Sequence, residues 1–437
     1  MEHYGSGKFT ERDDLFLISE LAAGLGVDAY LVGGCLRDHI LGRENNDLDF
    51  AISGAWKELP AAFAERLPGS FFWLNEKRRQ ARIVRKGGQG TKVYDFAPLC
   101  GASIEDDLAR RDFTINSLAI SLCGDGAEII DPLLGRDDLR MGLIRACGRK
   151  SFDDDPLRLL RAIRFAAELG FAIEEKTWDS ICMKSSLLQQ VAGERIKDEL
   201  FRTLAFPGCG ASLKRLWESG LWAEIYPAPY AETMEGHIAC ADEAERLCSE
   251  MGHLFPEGRE RLAVYLNREV EGGVSTLPLL KLAAFIGVDG EGKTAPLVER
   301  LRLGKEAGRM IDLLCRDEKE SFRILDRNSS ERPFYRFFRD REPAGPGMLI
   351  IAGACSVISG PCFSRLLGFY IKRYDPQEGD LFLSGAEVME ILGVPPGKAV
   401  GEAMERLRKA EGSGFVSSRD EARVFIKNLL TKEEAMR

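Results

Sequence analysis

The first third of the chain alternates between short apolar runs and stretches with helical spacing. Apolar or alternating runs predict β-strands at residues 30–32, 48–52, 81–84 and 93–96. Helical spacing recurs between them, for example over residues 36–41. Because strands alternate with helices here, the pattern predicts an α/β head, which we place at residues 1–148.

Beyond Asp155 the pattern becomes helical. Apolar residues recur with the helical period as far as about residue 325. Proline and glycine interrupt the pattern at Pro207-Gly208, at Pro227 and at Gly272-Gly273. Residues 343–347 are rich in proline and glycine and indicate a linker before a last helical segment. The pattern therefore predicts an α/β domain followed by all-helical segments.

The composition is typical of a globular protein in a reducing compartment. Of the 437 residues 45% are hydrophobic, which suffices for several domain cores, and the apolar runs are too short to cross a bilayer. The first residues lack the regions of a signal peptide, so we expect a cytoplasmic location and no membrane partner. Eleven cysteines without a Cys-x-x-Cys pair indicate free thiols. Because the net charge is −9, any nucleic acid must meet a local basic surface.

The most informative motif combines a glycine turn with two carboxylates. Gly33 and Gly34 follow the first predicted strand, so their backbone N–H groups can face an anion, to which Arg37 would add a charged fork. Asp47 and Asp49 open the next strand, where the two-residue period places both carboxylates on one face. Two adjacent carboxylates fit a hard cation such as Mg²⁺, which also binds substrate phosphates. The alternative is an acidic turn before a strand.

A second motif brings charged and polar side chains together within seven residues: Arg110, Arg111, Asp112 and Asn116. Arginine suits phosphate oxygens, and Asp or Asn suits ribose hydroxyls. A charged helix start capped by Asp112 would give the same residues. Upstream, Asp95 alternates with apolar neighbours in a predicted strand. It is either a third carboxylate beside Asp47 and Asp49 or a solvated strand residue.

A third motif begins a helix. Asp155 is a good N-cap, Pro156 suits the first helical position and Gly170 is a suitable stop. Three arginines recur at every third residue of this helix: Arg158, Arg161 and Arg164. Asp155 and Arg158 then lie close together and could hydrogen-bond the edge of a nucleobase. A capped helix with a solvated basic face would explain the same pattern.

Together these motifs resemble those of the class II nucleotidyltransferases, the family of bacterial CCA-adding tRNA nucleotidyltransferases and bacterial poly(A) polymerases. The resemblance covers ordered segments at residues 31–49, 110–116, 131–139, 154–165 and 194–200. It departs from the family pattern at Asp154, where members usually carry Glu. The implied fold is an α/β N-terminal nucleotidyltransferase head at residues 1–148, followed by an all-helical neck at 149–205, body at 206–342 and tail at 343–437.

The resemblance also implies roles for individual residues. Asp47 and Asp49 would bind catalytic Mg²⁺ ions. Asp95 is a candidate catalytic carboxylate from the strand pattern alone. The triphosphate would be bound by the glycine turn and three arginines, namely Gly33, Gly34, Arg37, Arg110 and Arg111. The ribose and phosphates would be positioned by Asp112 and Asn116. The base of ATP or CTP would pair with Asp155 and Arg158 of the neck helix, and Arg161 and Arg164 would help to shape that pocket.

The implied reaction is untemplated addition of all or part of CCA to the 3′ end of tRNA, from CTP and ATP. The RNA 3′-hydroxyl would attack in line with the assistance of two Mg²⁺ ions, and pyrophosphate would leave. Poly(A) synthesis on RNA 3′ ends is the main alternative. Addition of CC alone or of A alone also stays open, because residues 71–79 differ from the loop that we associate with full CCA synthesis.

Residues 287–294 match the P-loop pattern and suggest a competing function as an ATPase. A P-loop follows a strand, whereas residues 277–286 have helical spacing. The same segment resembles the body of relatives that carry an HD-type phosphohydrolase motif. None of the four histidines precedes an aspartate, so we expect a degenerate HD-like segment without a hydrolase metal site, and His237 as a packed residue.

The neck, body and tail are the expected surface for RNA. Residues 334–339 interleave aromatic and basic side chains, which suits either stacking with phosphate contact or an amphipathic helix with Phe inside and Arg outside. Residues 392–401 contain a glycine turn whose amides could meet tRNA phosphates, or a plain connection between helices.

Overall fold

The computed structural model covers most of the chain. The described residues are 13–54, 56–75, 79–87, 90–123, 128–226, 234–287, 294–327, 332–374, 382–412, 415–416 and 418–434. The chain divides into two compact units, the first comprising Met1–Val191 with Glu218–Leu221 and the second comprising Ala192–Trp217 with Trp222–Arg437. Within the described ranges, every helix is too short or too polar to cross a lipid bilayer.

The first unit is built on a mixed β-sheet. Its strands among the described residues are β1 (Ala29–Val32), β2 (Asp47–Ile52), β3 (Ser70–Asn75), β4 (Gln80–Gly87), β5 (Gly90–Pro98), β6 (Ala119–Ser121) and β7 (Ile129–Ile130). They lie in the order β3-β4-β5-β2-β1-β6-β7. β2 and β5 run parallel, whereas the other neighbouring strands are antiparallel.

Helices flank this sheet and continue the first unit. They are α1 (Asp13–Leu25), α2 (Gly34–Ile40), α3 (Glu58–Arg66), α4 (Ile104–Ala109), α5 (Gly135–Met141), α6 (Ser151–Asp154), α7 (Arg158–Leu169) and α8 (Glu175–Lys184). Phe50 and Phe96 stack with their ring centroids 4.8 Å apart, and Phe63 of α3 meets the Phe96 ring edge-on at 5.7 Å. All three are buried, so this face of the sheet forms the core and the opposite face of β2 is left for polar residues.

The strands predicted from the sequence are confirmed, and β3, β6 and β7 are additions to them. β3 lies at the edge of the sheet, where Phe72, Trp73 and Leu74 are all exposed. Because these three consecutive residues are all apolar and similarly exposed, neither hydrophobicity nor burial alternates along them. The usual signal of a half-buried strand is therefore missing there.

The neck helix begins later than the sequence pattern predicts. α7 starts at Arg158, while Asp155 has an extended backbone after the short helix α6. The Asp155 carboxylate accepts the Leu157 N–H at 3.2 Å, so it caps a turn that precedes the helix. Gly170 ends α7 with a φ of 71°, as predicted.

The remaining helices lie mostly in the second unit. They are α9 (Gly193–Ala205), α10 (Cys209–Glu218), α11 (Leu221–Ile225), α12 (Glu235–Leu254), α13 (Arg259–Asn267), α14 (Thr276–Ile286), α15 (Ala295–Arg300), α16 (Lys305–Leu314), α17 (Lys319–Arg327), α18 (Arg332–Asp340), α19 (Gly345–Ala354), α20 (Gly360–Phe369), α21 (Gly385–Leu392), α22 (Lys398–Gly412) and α23 (Arg419–Glu434). The predicted α/β head followed by a helical remainder is thereby confirmed.

Two small sheets modify the expectation of all-helical segments. β8 (Leu143–Ile144) pairs in parallel with β9 (Ala172–Ile173), and β10 (Glu269–Glu271) pairs antiparallel with β11 (Val274–Ser275). Each is only two or three residues long, so both read as loops in a periodicity search. The four-segment division into head, neck, body and tail remains a prediction.

The sequence features around residue 287 have a simple structural context. Helix α14 extends to Ile286, directly before the P-loop-like residues, of which 288–293 lie outside the described residues. A helix therefore stands where a P-loop requires a strand. His237 Nδ1 lies 2.9 Å from the Phe285 carbonyl oxygen, in agreement with a packed histidine.

The motif at residues 334–339 forms a helix, and the motif at residues 392–401 is a connection between two helices. Phe334, Phe337 and Phe338 of α18 are buried while Arg336 and Arg339 are exposed, which is the predicted amphipathic arrangement. Within this motif, residues 393–397 join α21 to α22, with Gly393 ending α21 at a φ of 63°.

Candidate active site

Three carboxylates lie on neighbouring central strands of the sheet. Asp47 and Asp49 are solvent-accessible and alternate along β2 with the buried Leu48 and Phe50. β5 runs parallel beside β2, with Asp95 as the register partner of Asp49. The alternation read from the sequence thus brings three acidic residues together.

The surroundings of Asp49 favour a bound cation. The dense protein around this solvent-accessible carboxylate desolvates it and raises its pKa to about 6. Arg111 lowers that pKa, whereas the negative charges of Asp95 and Asp47 raise it. A divalent cation would relieve both the desolvation and the repulsion.

Sequence reasoning missed one charged residue at this site, Arg82. It is the register partner of Asp95 on β4, and its guanidinium binds both carboxylate oxygens. Nε donates to Oδ1 at 2.7 Å and Nη2 donates to Oδ2 at 2.6 Å. Among the described residues, Asp47 and Asp49 have no such ion pair. Arg82 alternates with the buried Ala81 and Ile83, and this alternation in a predicted strand is the signal that could have identified it.

The glycine turn lies directly against the carboxylates. Gly33 has a φ of 84°, a conformation that L-amino acids rarely adopt. A Cβ atom on Gly33 would lie 3.2 Å from Asp49 Oδ2 and 3.1 Å from Arg111 Nη1. Gly34 is the first residue of α2. The turn is therefore held in close contact with the predicted metal and phosphate ligands.

Arg37, predicted to contact the triphosphate, is largely engaged by the protein. It is only 5% exposed. Its Nε and Nη2 donate to the Asp38 carboxylate at 2.9 and 3.0 Å, and its Nη1 donates to Asn116 Oδ1 at 2.7 Å. Three of its five N–H donors thus connect the glycine turn to the segment that carries Asn116.

A continuous polar network extends from Arg37 to the neck helix. Asn116 Nδ2 donates to Asp112 Oδ1 at 3.0 Å, while Arg161 Nε and Nη2 donate to Asp112 Oδ2 at 3.0 and 2.7 Å. Burial acts to raise the pKa of Asp112, but Arg161 and the hydrogen bonds hold it below its ordinary value. Asp112 is therefore an ionised centre that joins the head to α7.

An aromatic ring completes this junction. Phe165 is buried on α7 and its ring meets Phe113 edge-on at 5.7 Å. Three guanidinium carbons face the same ring, those of Arg37 at 5.1 Å, Arg161 at 5.2 Å and Arg164 at 4.0 Å from its centroid. Arg164 is also paired with Glu168. Cation–π contacts thus order the arginines that the sequence singled out.

Arg110 and Arg111 differ in their surroundings. Arg110 is exposed, and its Nη1 lies 3.7 Å from Cys100 Sγ. Arg111 is half-buried, and its Nε and Nη2 donate to Asp107 Oδ2 at 3.1 and 3.0 Å. Arg111 is therefore fixed beside Asp49, while Arg110 presents its charge to solvent.

Arg158 supports the backbone of these two arginines. Its Nη2 donates to the Arg110 carbonyl at 2.8 Å, and its Nη1 donates to the Arg111 carbonyl at 3.2 Å. Nη1 also donates to the carbonyl and the hydroxyl of Ser151, at 3.2 and 3.0 Å. The Asp155 carbonyl in turn accepts the Arg158 N–H at 3.0 Å. Asp155 and Arg158 are thus adjacent, as predicted, and Arg158 has an additional role in bracing the arginine pair.

The second unit contains another group with the spacing of metal ligands: Cys209, Asp242 and Glu245. Asp242 accepts the Gly210 N–H at 2.8 Å, and Glu245 accepts the Gly208 and Cys209 N–H groups at 3.0 and 2.9 Å. Glu245 is also 2.7 Å from the buried ammonium of Lys281. Burial raises the pKa of the Cys209 thiol and keeps it protonated. This cluster is therefore explained by capping of α10 and a buried ion pair.

Comparisons with known proteins show which family the chain resembles. Residues 29–145 match the poly A polymerase head domain, and residues 170–232 match a probable RNA- and SrmB-binding site of polymerase A. The chain is 40% identical to the CC-adding tRNA nucleotidyltransferase of Geobacter sulfurreducens, over 96% of each chain. It is 33% identical to the CC-adding tRNA nucleotidyltransferase of Thermus thermophilus, over 91% of this chain and 93% of that relative.

A solved structure supports the fold. The chain is similar to the Thermotoga maritima CCA-adding enzyme complexed with tRNA, with a TM-score of 0.72 and 23% identity. The match covers 95% of this chain and 94% of that one. At this identity the likeness establishes the architecture.

Proposed function

The chain belongs to the tRNA nucleotidyltransferase family, and from that premise we propose that it adds the two cytidines of the CCA end to the 3′ end of tRNA from CTP. The observation that carries this proposal is the 40% identity to a CC-adding enzyme over 96% of both chains. A second CC-adding relative is 33% identical over more than nine-tenths of each chain.

The segment at β3 and the start of β4 keeps the partial activities open, as the sequence suggested. β3 ends at Asn75 and β4 begins at Gln80, so residues 76–79 alone join the two strands. Of these, 76–78 lie outside the described residues. Residues 71–79 of this chain differ from the loop that we associate with synthesis of the whole CCA end.

The carboxylates fit the divalent cation that this family normally uses. Asp47 and Asp49 are accessible, lack ion pairs among the described residues and repel each other. Desolvation by the surrounding protein, together with the charges of Asp95 and Asp47, raises the pKa of Asp49, and carboxylates in such surroundings suit a hard divalent cation. We assign Mg²⁺ binding to these two residues, with two ions in all. When bound, Mg²⁺ favours the ionised form of the RNA 3′-hydroxyl and neutralises charge on the pyrophosphate.

The residues around the carboxylates bind and orient the nucleotide. Arg111, fixed by Asp107, is suited to hold phosphate oxygens close to Asp49, and the exposed Arg110 can fold over them. Gly33 and Gly34 allow the phosphates to approach the backbone. Arg37, Asp112 and Asn116 act as positioning residues, because their polar groups mainly hold one another.

The neck helix supplies base selection. Asp155 offers a carboxylate and Arg158 offers a guanidinium beside the arginine pair, which together can satisfy the donor and acceptor edge of cytosine. Arg161 and Arg164 shape this region through Asp112 and the Phe165 ring. The protein itself would then choose the base, without a nucleic-acid template.

The decisive test is product length on defined tRNA ends. tRNA that ends before CCA, after the first C or after CC is incubated with CTP, with ATP or with both, and each product is sized at single-nucleotide resolution. We expect two cytidines on the first substrate, one on the second and no addition on the third.

Other outcomes would overturn CC addition in distinct ways. Extension to the complete CCA end would assign the whole synthesis to this chain. A single A added to the CC end would assign the A-adding activity. Long A tails on unrelated RNA would assign poly(A) polymerase activity.

A further inference from the structure

The second unit contains a basic pocket that none of the catalytic assignments uses. Its volume is about 360 Å³. The lining comes from α18, α22, α23 and the residue Phe415 between the last two helices, and consists of Tyr335, Arg336, Arg339, Arg406, Lys409, Ala410, Phe415 and Phe425. We refer to it as the α18–α22 pocket.

Four positive charges converge on the α18–α22 pocket. Arg336 and Arg339 come from α18, Arg406 and Lys409 come from α22, and no carboxylate is among the described lining residues. Because the chain as a whole has a net charge of −9, such a concentration of cations is a local exception. It predicts a polyanionic ligand with phosphates on both sides.

Two of the lining cations, Arg339 and Lys409, form ion pairs that a ligand can displace. Arg339 binds Asp340 at 2.6 Å and Lys409 binds Glu405, and the side chains in both pairs are at least one-third exposed. Exposed pairs of this kind contribute little to stability, so a phosphate can replace their carboxylates. Among the described residues, Arg336 has no ion pair at all.

The pocket also offers an aromatic surface. Phe415 is 70% exposed, an unusual state for a large apolar ring, and it meets Phe425 edge-on at 6.1 Å between centroids. The Phe415 N–H donates to the Ala410 carbonyl at 2.9 Å, which fixes the ring beside the end of α22. An exposed ring with its backbone held in place is a suitable platform for a nucleobase.

The amphipathic character of α18 explains how this surface arises. Phe334, Phe337 and Phe338 supply the buried face, and that arrangement leaves Arg336 and Arg339 on the other side. The interleaved motif at residues 334–339 therefore serves two purposes, since its aromatic residues build the core and its arginines line the pocket. Packing explains the aromatic residues of the motif, whereas the two arginines in the pocket are explained by a bound ligand.

We propose that the α18–α22 pocket binds one unstacked nucleotide of the RNA substrate, with its base on Phe415 and its flanking phosphates on the four cations. The volume is near the lower end of ligand pockets, which suits a single nucleotide. The cations lie on two helices. This arrangement favours an RNA strand, which has a phosphate on either side of the base, over a mononucleotide, which has a single phosphate group. The choice of tRNA as the RNA rests on the proposed function.

The experiment compares full-length variants for binding to labelled tRNA that lacks CCA, over a series of salt concentrations. The pocket variant carries Arg336→Gln and Arg339→Gln together, and a second variant carries Phe415→Ala. The matched control carries Arg323→Gln and Arg327→Gln, which remove the same charge from the exposed side of α17, outside the pocket.

We expect the pocket double variant to bind RNA roughly tenfold more weakly, with a salt dependence reduced by one to two phosphate contacts. Phe415→Ala should weaken binding at least about fivefold while the salt dependence stays the same, because stacking carries no charge. The control should bind like the wild type, and the KM for CTP should change in none of the variants.

Two results would overturn the assignment. Equal RNA affinity in the pocket variants and the control would show that the pocket holds no nucleotide. The second result concerns tRNA affinity measured with and without millimolar CTP or ATP. If the nucleotide weakened tRNA binding by the wild type but not by the pocket variants, the pocket would be a mononucleotide site instead. A wild-type protein that adds no cytidine but shows the expected loss of RNA affinity in both variants contradicts only the proposed function and supports the pocket.

Discussion

Arg158 is the residue whose role the structure extends furthest. The sequence motif suggests that it reads the base, together with Asp155. Its guanidinium also holds the carbonyls of Arg110 and Arg111, and it holds Ser151. The residue that would recognise cytosine therefore also fixes the backbone of the arginines assigned to the triphosphate, so base choice and phosphate binding are coupled through one side chain.

This coupling predicts that Arg158→Ala lowers the preference for CTP over ATP and raises the KM for CTP at the same time. Loss of hydrogen bonds from a charged donor costs about 1.5–3 kcal/mol, which corresponds to a decrease of at least roughly tenfold in kcat/KM. Steady-state kinetics with each nucleotide on tRNA lacking CCA would measure both effects. The control is Arg140→Ala, which removes an exposed ion pair with Asp137 on α5. If the variant altered neither base preference nor the KM for CTP, both roles would be contradicted.

At the scale of single elements, local patterns predicted well the strands that carry the candidate metal ligands. β2, β5 and the turn at Gly33 follow from a two-residue alternation and from glycine, which are properties of short segments. The start of α7 was predicted too early, because Pro156 and Leu157 form a capped turn before the helix.

The parts that could not be predicted depend on contacts distant in sequence. The Arg82 and Asp95 pair exists because β4 and β5 are neighbours in that register. The network from Arg37 through Asn116 and Asp112 joins residues far apart in the chain. A single sequence contains no signal for such pairings, although it does contain the residues.

Helix α14 contains one buried charged residue, Lys281, within an otherwise apolar segment. Lys281 is 1% exposed among apolar neighbours. Its ammonium donates to the carbonyls of Leu204 and Phe206 at 2.9 and 3.1 Å and to Glu245 at 2.7 Å. Three acceptors satisfy all three of its donors, so one lysine ties the end of α9 to α12.

We predict that Lys281→Met destabilises the protein strongly, because it leaves a partly buried carboxylate and two carbonyls without their donor. Removal of one partner from a buried ion pair costs about 3–5 kcal/mol. Urea unfolding monitored by circular dichroism should show a clearly lower midpoint for this variant than for Lys305→Met, a change at an exposed position on α16. Equal midpoints would mean that the buried pair makes no net contribution.

On the scale of the whole molecule, the chemistry and the basic α18–α22 pocket belong to different units. The carboxylates, the arginines and the neck helix all lie in the first unit, whereas the pocket lies in the second. A chain with a net charge of −9 can bind a polyanion only where positive charge is concentrated locally, as it is at the α18–α22 pocket. Nucleotide selection and RNA binding are therefore expected to respond to different substitutions.

The central claim is that Asp47 and Asp49 carry out nucleotidyl transfer to tRNA. It is tested most directly by the rate at which Asp47→Ala and Asp49→Ala incorporate labelled cytidine into tRNA lacking CCA. With unfolding midpoints and tRNA affinity as checks on folding, we predict a loss of at least about a thousandfold in each variant, the amount expected when the metal ligands are removed. Incorporation near the wild-type rate in either variant would contradict the account.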